Sequence, residues 1–205
     1  MLTTTRSILE ARTTTGRFDP SHKLDDATIA ELVRLATQAP TAFNLQNWCF
    51  VAVRSLGMKE KLVPLAYGQR QVREAAVTFV VCGALNAYPA LEKRLQASVD
   101  AGIITDSIQR TWVEMAASSH ANDPRLQRDE AIRSASLAAM ALMIAAREMG
   151  LDAGILGGFD PVGIVHAFSL HRDEIPVVLV TVGRAAEGNW AQKIRRPVTE
   201  VLQFR

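Results

Sequence analysis

The spacing of apolar positions changes several times along the chain, and each change predicts an element. Thr5 to Ala11 reads as a short helix that runs into the polar stretch RTTTGR, Arg12 to Arg17. Behind Asp25, a residue type that caps helix starts, Ile29, Leu32, Val33 and Ala36 recur on one helical face. Pro40 stops that helix, because a proline disfavours helical backbone at the residue before it. The loop TAFNLQNW follows, and then WCFVAV (Trp48 to Val53), a buried strand. Leu56 to Leu65 predicts a short helix, and the β-branched run from Val77 to Leu85 predicts a second buried strand. Tyr88 to Val99 and Thr105 to Ser118 predict two more polar helices. A loop with Asn122, Asp123 and Pro124 precedes a long helix from Asp129 to Met149, which Gly150 can end. From Ser134 to Ala146 that helix is small or apolar almost all round, as expected in the centre of a core or at a subunit interface. Asp152 to Leu156 is a third strand, Asp160 and Pro161 open a helix that ends near Phe168, and Pro176 to Val182 is a fourth strand. Helices dominate and the strands are scattered, which predicts an α+β layer fold.

Length and composition narrow this picture. The 205 residues suit one domain with a sizeable core, spanning 1–205. Hydrophobic residues at 48% and charged residues at 21% argue against disorder. A formal net charge of +2 is too small to make nucleic acid or an anionic membrane the main partner. No apolar run of about 18 residues predicts a membrane span, and the N-terminus has no apolar core of a signal peptide. The two cysteines, Cys49 and Cys82, lie in apolar segments and read as buried thiols, which suits the cytoplasm.

Common catalytic signatures are missing. The chain has no GxGxxG after a strand, no GxxxxGK[ST] loop, no GxSxG elbow and no metal-ligand spacing among its four histidines, which read as surface or capping residues. No pair of carboxylates stands out as acid and base. An enzyme of this composition would therefore draw its chemistry from a bound cofactor, with no metal and no catalytic side chain. Four segments carry polar groups suited to that. In RTTTGR, a cation followed by hydroxyls can hold a phosphate. In APTAFNLQNW, Asn44 can read the edge of a heterocycle. In LGGFDP, adjacent glycines let backbone N–H groups approach a planar ring. KIRR, Lys193 to Arg196, can clamp a phosphate. Each also reads, alone, as an ordinary turn or a solvated tail.

Taken in order, LEARTTTGRFD, LATQAPTAFNLQNWCFVAV, AYGQRQVREAAVTFVVCG, SLAAMALMIAAREMGLDAG, LGGFDP, IPVVLVTVG and KIRRP resemble the FMN-dependent nitroreductase family over almost the whole chain. GIITDSI, Gly102 to Ile108, resembles a subgroup of small bacterial NAD(P)H-dependent nitro- and quinone reductases. The resemblance implies an α+β sandwich with a central, mostly antiparallel sheet flanked by helices. It implies an intertwined homodimer in which residues 183–205 form an arm around the partner. FMN would be the cofactor and NADH or NADPH the donor. A small nitroaromatic, quinone or related electrophile would accept hydride from flavin N5 in a ping-pong cycle.

Carried over by matching blocks, Arg12, Thr13, Thr14, Lys193 and Arg195 would hold the FMN phosphate end. Pro40, Thr41, Ala42 and Asn44 would come from the other subunit. Leu156, Gly157 and Gly158 would face N5 and O4, and Gly16, Gln69 and Gln71 would lie near the pyrimidine ring. The chain departs from the family where a cation is common at positions 16 and 71 and an asparagine at 68; it has Gly16, Gln71 and Gly68, with Arg17 or Arg70 as possible substitutes. A lower flavin potential is the expected result. Asn47 stands where a proline is common before the loop tryptophan. Relatives of this fold include dehydrogenases, reductive dehalogenases and a flavin-cleaving enzyme, and a flavin-binding protein without turnover is the remaining alternative. The only segment suited to a lid is Tyr88 to Arg128.

Overall fold

A computed structural model describes residues 4–205, so the first three residues of the chain lie outside it. All four predicted strands are present: β1 (Trp48–Val53), β2 (Val77–Ala84), β3 (Asp152–Leu156) and β4 (Glu174–Gly183). They form one sheet in the order β1-β2-β4-β3, every neighbouring pair antiparallel. β2 and β4 sit in the middle. Side chains alternate across a strand, and both faces of β2 are covered. Val77, Phe79 and Val81 enter one apolar cluster, and Val80 and Cys82 enter another on the opposite face. Two-sided burial explains why VTFVVC is a continuous apolar run rather than an alternating one.

Helices α2 (Asp26–Ala36) and α7 (Pro124–Glu148) cover the first face. Leu32 and Ala36 of α2 are buried there, and the Asp25 carboxylate accepts from the Thr28 N–H at 2.8 Å, as its capping role predicts. The opposite face is covered by α3 (Leu56–Leu65), the short α4 (Arg70–Glu74) and α8 (Pro161–Ala167). Helix α8 starts as expected, with the Asp160 side chain accepting from Gly163 N–H at 3.0 Å. A third cluster joins α5 (Leu91–Asp100) and α6 (Asp106–His120) to Leu45, Ala42 and Phe43 of the loop before β1. Helix α1 (Thr5–Ala11) precedes the polar RTTTGR segment.

Several expectations need correction. The long helix begins at Pro124, five residues before Asp129. Asp123 caps it by accepting from Leu126 N–H at 2.8 Å, and proline suits the first helical position, where no amide donor is needed. Helix α4 was not predicted. Tyr88 to Ala90 is a separate tight turn ahead of α5. His120 is buried, not a surface residue: its Nδ1 lies 2.9 Å from the Ala116 carbonyl, and its Nε2 has no hydrogen-bond partner among the described residues.

Helix α7 is unevenly covered. Ser134, Ala135, Ala138, Ala139, Leu142, Met143, Ala145 and Ala146 are buried, but Leu137 is 44% exposed, and Met140 and Ile144 are half-buried beside it. The described residues cover that apolar stripe only in part. No helix of the described residues is long and apolar enough to cross a membrane.

Candidate cofactor-binding site

The polar segment after α1 does not run free. Thr15 N–H donates to the Ala153 carbonyl of β3 at 3.1 Å, and Phe18 bridges Ala185 just past β4. The approach is close enough to require glycine on the strand. A Cβ on Gly154 would land on the Thr15 carbonyl and 2.8 Å from Thr181 Oγ1. Thr13, Thr14 and Gly16 are thereby held at the end of the sheet where β4 gives way to the C-terminal segment.

That segment is pinned to the same place by Asn189. Its Oδ1 accepts from Gly16 N–H at 2.8 Å and Arg17 N–H at 3.0 Å; its Nδ2 donates to the Arg17 carbonyl at 2.9 Å and the Ala186 carbonyl at 2.8 Å. Three of the four contacts of this one amide join positions about 170 residues apart in sequence. The result is a cavity of about 340 Å³ lined by Thr14, Gly16, Arg17, Arg70, Gln71, Gly188, Asn189, Trp190 and Lys193. A small polar recess of about 40 Å³ adjoins it, lined by Arg12, Thr13, Thr14, Ala191, Gln192, Lys193 and Arg195. The Lys193 ammonium lies 4.7 Å from the centre of the Trp190 ring.

Charge sets this region apart. Arg12, Arg17, Lys193 and Arg195 converge on it, and among the described residues none of them has a carboxylate within ion-pair distance. Four cations without counter-charge, beside threonine hydroxyls and backbone amides, make a site that favours an anion such as a phosphate. Arg70 differs. Its Nε and Nη2 donate to Glu74 Oε1 at 2.9 and 2.6 Å, while Glu74 Oε2 accepts from Phe18 N–H at 3.3 Å.

The glycine turn joins the cavity through α4. Gln69 Nε2 donates to the Gly158 carbonyl at 2.7 Å, and Gln71 Nε2 to Gln69 Oε1 at 3.4 Å. Gly157 and Gly158 are exposed, and a Cβ on Gly157 would meet nothing within 4 Å, so the turn presents open backbone. Leu156 has its side chain in the core of the second face and can offer only its backbone. Arg12, Thr13, Thr14, Gly16, Gln69, Gln71, Gly157, Gly158, Lys193 and Arg195 thus gather in one region.

Pro40, Thr41, Ala42 and Asn44 line neither recess. Their loop is strained: Phe43, Asn44 and Gln46 have φ of 52°, 57° and 46°, a region that residues other than glycine seldom adopt. Ala42, Phe43 and Leu45 anchor it in the α5–α6 cluster, and Arg94 donates to the Leu45 carbonyl at 2.6 Å. Asn44 remains exposed. Such strain clusters where structure serves binding. Two other depressions, of about 530 Å³ between α1, α2 and α7 and about 390 Å³ between α7, α8 and β4, have largely apolar linings and no such group of cations.

Asn189, Glu74, Arg94 and Trp190 had no motif to mark them. The Gly188–Asn189 pair signals a turn, and the Arg70–Glu74 spacing signals a helical ion pair, but neither says what it joins.

Comparison with known proteins decides the lineage of this arrangement. The model of the family described as Nitroreductase family matches residues 9–184. The chain belongs to the nitroreductase family. YodC of Bacillus subtilis is 34% identical over 98% of this chain and 98% of its own length. The oxygen-insensitive NADPH nitroreductase of Helicobacter pylori is 24% identical, over 97% of this chain and 95% of its own length. A solved structure from Exiguobacterium sibiricum in complex with FMN has a TM-score of 0.93 at 25% identity, covering 100% of this chain and 99% of that one. The likeness to that structure extends over the whole of this chain.

Proposed function

We propose that this nitroreductase-family chain is an FMN-dependent oxidoreductase that passes hydride from NADH or NADPH to nitroaromatic, quinone or related small electrophilic acceptors. The observation that carries this reading is the uncompensated cation cluster of Arg12, Arg17, Lys193 and Arg195 beside an open glycine turn. The residues fit FMN. Arg12, Thr13, Thr14, Lys193 and Arg195 would hold its phosphate. Gln69 and Gln71 would border the pyrimidine ring, and the exposed N–H groups of Gly157 and Gly158 would face N5 and O4. Bound there, FMN supplies a two-electron carrier that lets donor and acceptor use one site in turn, a ping-pong cycle. The protein contributes orientation and fixed dipoles, and no side chain has to move a proton.

The functional unit in this reading is a homodimer in which the whole chain acts as one domain. Two features support it. The stripe of Leu137, Met140 and Ile144 on α7 is covered only in part by the described residues. The segment after Gly183 is mostly exposed and bears Ile194, Val198, Val201, Leu202 and Phe204, all 47% exposed or more. An arm of that composition suits a second copy of the chain, and residues 183–205 would embrace it. The strained loop with Pro40, Thr41, Ala42 and Asn44 would complete the site of the other copy. The cytoplasm, which holds the pyridine nucleotides, is the proposed location.

The test is spectroscopic. Purified protein should be yellow with an FMN band, and should bleach anaerobically with NADH or NADPH and recover its colour on adding a quinone or nitroarene. Yellow protein that neither nucleotide reduces would refute the reductase reading.

A further inference from the structure

We infer that His120 is the positioning residue of the strained loop from Thr41 to Gln46, and that it holds the loop in form only while its ring is neutral. The inference rests on the reading above, in which that loop completes the cofactor site of the other copy. The loop needs an outside support. Phe43, Asn44 and Gln46 have left-handed backbone and none is a glycine. Within the loop, Asn44 N–H donates to the Thr41 carbonyl at 3.1 Å, Leu45 N–H to the Ala42 carbonyl at 2.8 Å and Gln46 N–H to Thr41 Oγ1 at 3.0 Å. Asn44 and Gln46 are exposed, so Ala42, Phe43 and Leu45 hold the loop down. Phe43 meets the His120 ring edge to face, with centres 6.3 Å apart and planes at 73°. Tyr88 flanks the same imidazole at 6.3 Å and 32°.

The imidazole is itself held in one tautomer. Its Nδ1 lies 2.9 Å from the Ala116 carbonyl and 2.9 Å from Ser119 Oγ, whose hydroxyl donates to the Met115 carbonyl at 2.8 Å. A carbonyl only accepts, so Nδ1 carries the hydrogen. The His120 carbonyl is fixed as well, by Gln127 Nε2 at 2.8 Å and Asp123 N–H at 3.1 Å. In the neutral ring Nε2 is then a bare lone pair. It is buried and has no hydrogen-bond partner among the described residues. Protonation turns it into a charged N–H donor with nothing to donate to, which costs far more than an unused lone pair. The carbonyl end of α6 attracts positive charge, but Nδ1 already serves that end, and the new N–H is on the other nitrogen.

No neighbour offsets that charge. Among the described residues no carboxylate lies within ion-pair distance of the His120 ring. The loop brings no ionisable group to it, and the Tyr88–Ala90 turn brings the Tyr88 phenol. Helix α5 brings a cation, Arg94, which donates to the Leu45 carbonyl at 2.6 Å and the Ala87 carbonyl at 3.0 Å in the same cluster. At the head of α7, the Asp123 carboxylate is committed to Leu126 N–H. The other charged residues of α5 and of residues 124–129, Glu92, Lys93, Asp100, Arg125, Arg128 and Asp129, are exposed. A second positive charge beside Arg94 is therefore repelled and unpaired. The ring escapes that state by leaving its pocket for water, and Phe43 loses its support. In mildly acidic solution, where histidine takes up a proton, the loop should let go.

Two measurements on the full-length holoprotein test this, with the parent, H120F and H120A at pH 8 and about pH 5.5. Phenylalanine keeps a ring against Phe43 and Tyr88 but cannot take a proton; alanine removes the ring. The first measurement is hydrogen exchange at the amides of Asn44, Leu45 and Gln46, corrected for the intrinsic effect of pH. In the parent their protection should fall about tenfold at the lower pH, the scale set by one buried donor left unpaired. In H120F it should not change, and in H120A it should be low at both. The second is the dissociation constant of oxidised FMN. The FMN phosphate takes up a proton over the same range in every variant, so the ratio of parent to H120F is what counts. The two should bind equally at pH 8, and the parent about tenfold more weakly at the lower pH. Protection in the parent that is the same at both pH values overturns the inference, with no variant needed. So does H120A protection that matches the parent at pH 8, or a parent and H120F that change alike. Each of these leaves the FMN reading intact. Parent protein that binds no FMN overturns that reading, while the exchange result still decides the role of His120.

Discussion

Asn189→Ala is the sharpest test of how the site is assembled. The substitution removes four hydrogen bonds: three, at 2.8, 3.0 and 2.9 Å, join Gly16 and Arg17 to the C-terminal segment, and one, at 2.8 Å, ties Asn189 to Ala186 within it. A typical hydrogen bond contributes a net ~0.5–1.5 kcal/mol. Asn189 is only half-buried, so water can replace part of each bond, and the low end applies. The set is then worth about 2 kcal/mol, or a drop of roughly 4–8 °C in Tm for a chain of this size. The same loss frees the amides and carbonyl that shape the cavity, so FMN affinity should fall about tenfold. Asn189→Asp sharpens the test. It keeps an acceptor for the two N–H groups but turns a carboxylate oxygen toward the Arg17 and Ala186 carbonyls, so it should do no better than alanine. Thermal melts with and without added FMN, together with fluorescence titration of FMN, read both effects. A variant that melts within 1 °C of the parent and binds FMN equally well would refute the claim that this amide docks the two termini.

Other consequences can be checked as directly. Lys193→Ala combined with Arg195→Ala should weaken FMN at least tenfold but leave riboflavin nearly unaffected, since charge-assisted bonds to the phosphate are lost; equal losses for both ligands would place the phosphate elsewhere. Gly154→Ala should cost about 1–3 kcal/mol through overpacking and lower FMN affinity as well, measured by urea unfolding and titration. Leu137→Glu on α7 should shift sedimentation from dimer to monomer and release FMN. Cys49 and Cys82 face each other across β1 and β2. Burial pushes the Cys49 thiol up to about 11, helped by Glu174, and the Cys82 thiol up to about 12. Both folded values lie above the ordinary 9.0, so their stabilising effect is complete below about pH 9. It fades as pH rises toward 11 and 12. Tm should therefore decline above pH 9, and iodoacetamide at pH 8 should label neither thiol until the protein unfolds.

The elements that sequence revealed are those whose signal is local. Each strand is an apolar run between turn residues, and Asp25 and Asp160 cap helices through bonds to amides three residues on. Helix α4 is too short for any periodicity. Its Val72 is fully buried, and the buried Lys59 ammonium donates to the Ala75 carbonyl at its end, so distant contacts make it. Asp123 and Pro124 looked like a loop because both residues also favour turns; only the bond to Leu126 shows them opening α7. In the site, the segments could be read from their order along the chain. What fastens them could not, because Asn189 and Glu74 act across long stretches of sequence. His120 escaped because a single histidine in a polar helix carries no sign that its ring sits near Phe43 and Tyr88.

The bond from Thr15 to Ala153 has a consequence beyond ligand binding. β3 lies at the margin of the sheet, where unpaired backbone groups invite a strand from another molecule. The RTTTGR segment occupies part of that margin, so it acts as a guard as well as a grip. Variants that unseat it should show their defect first as turbidity on storage without cofactor, and added FMN should keep them clear.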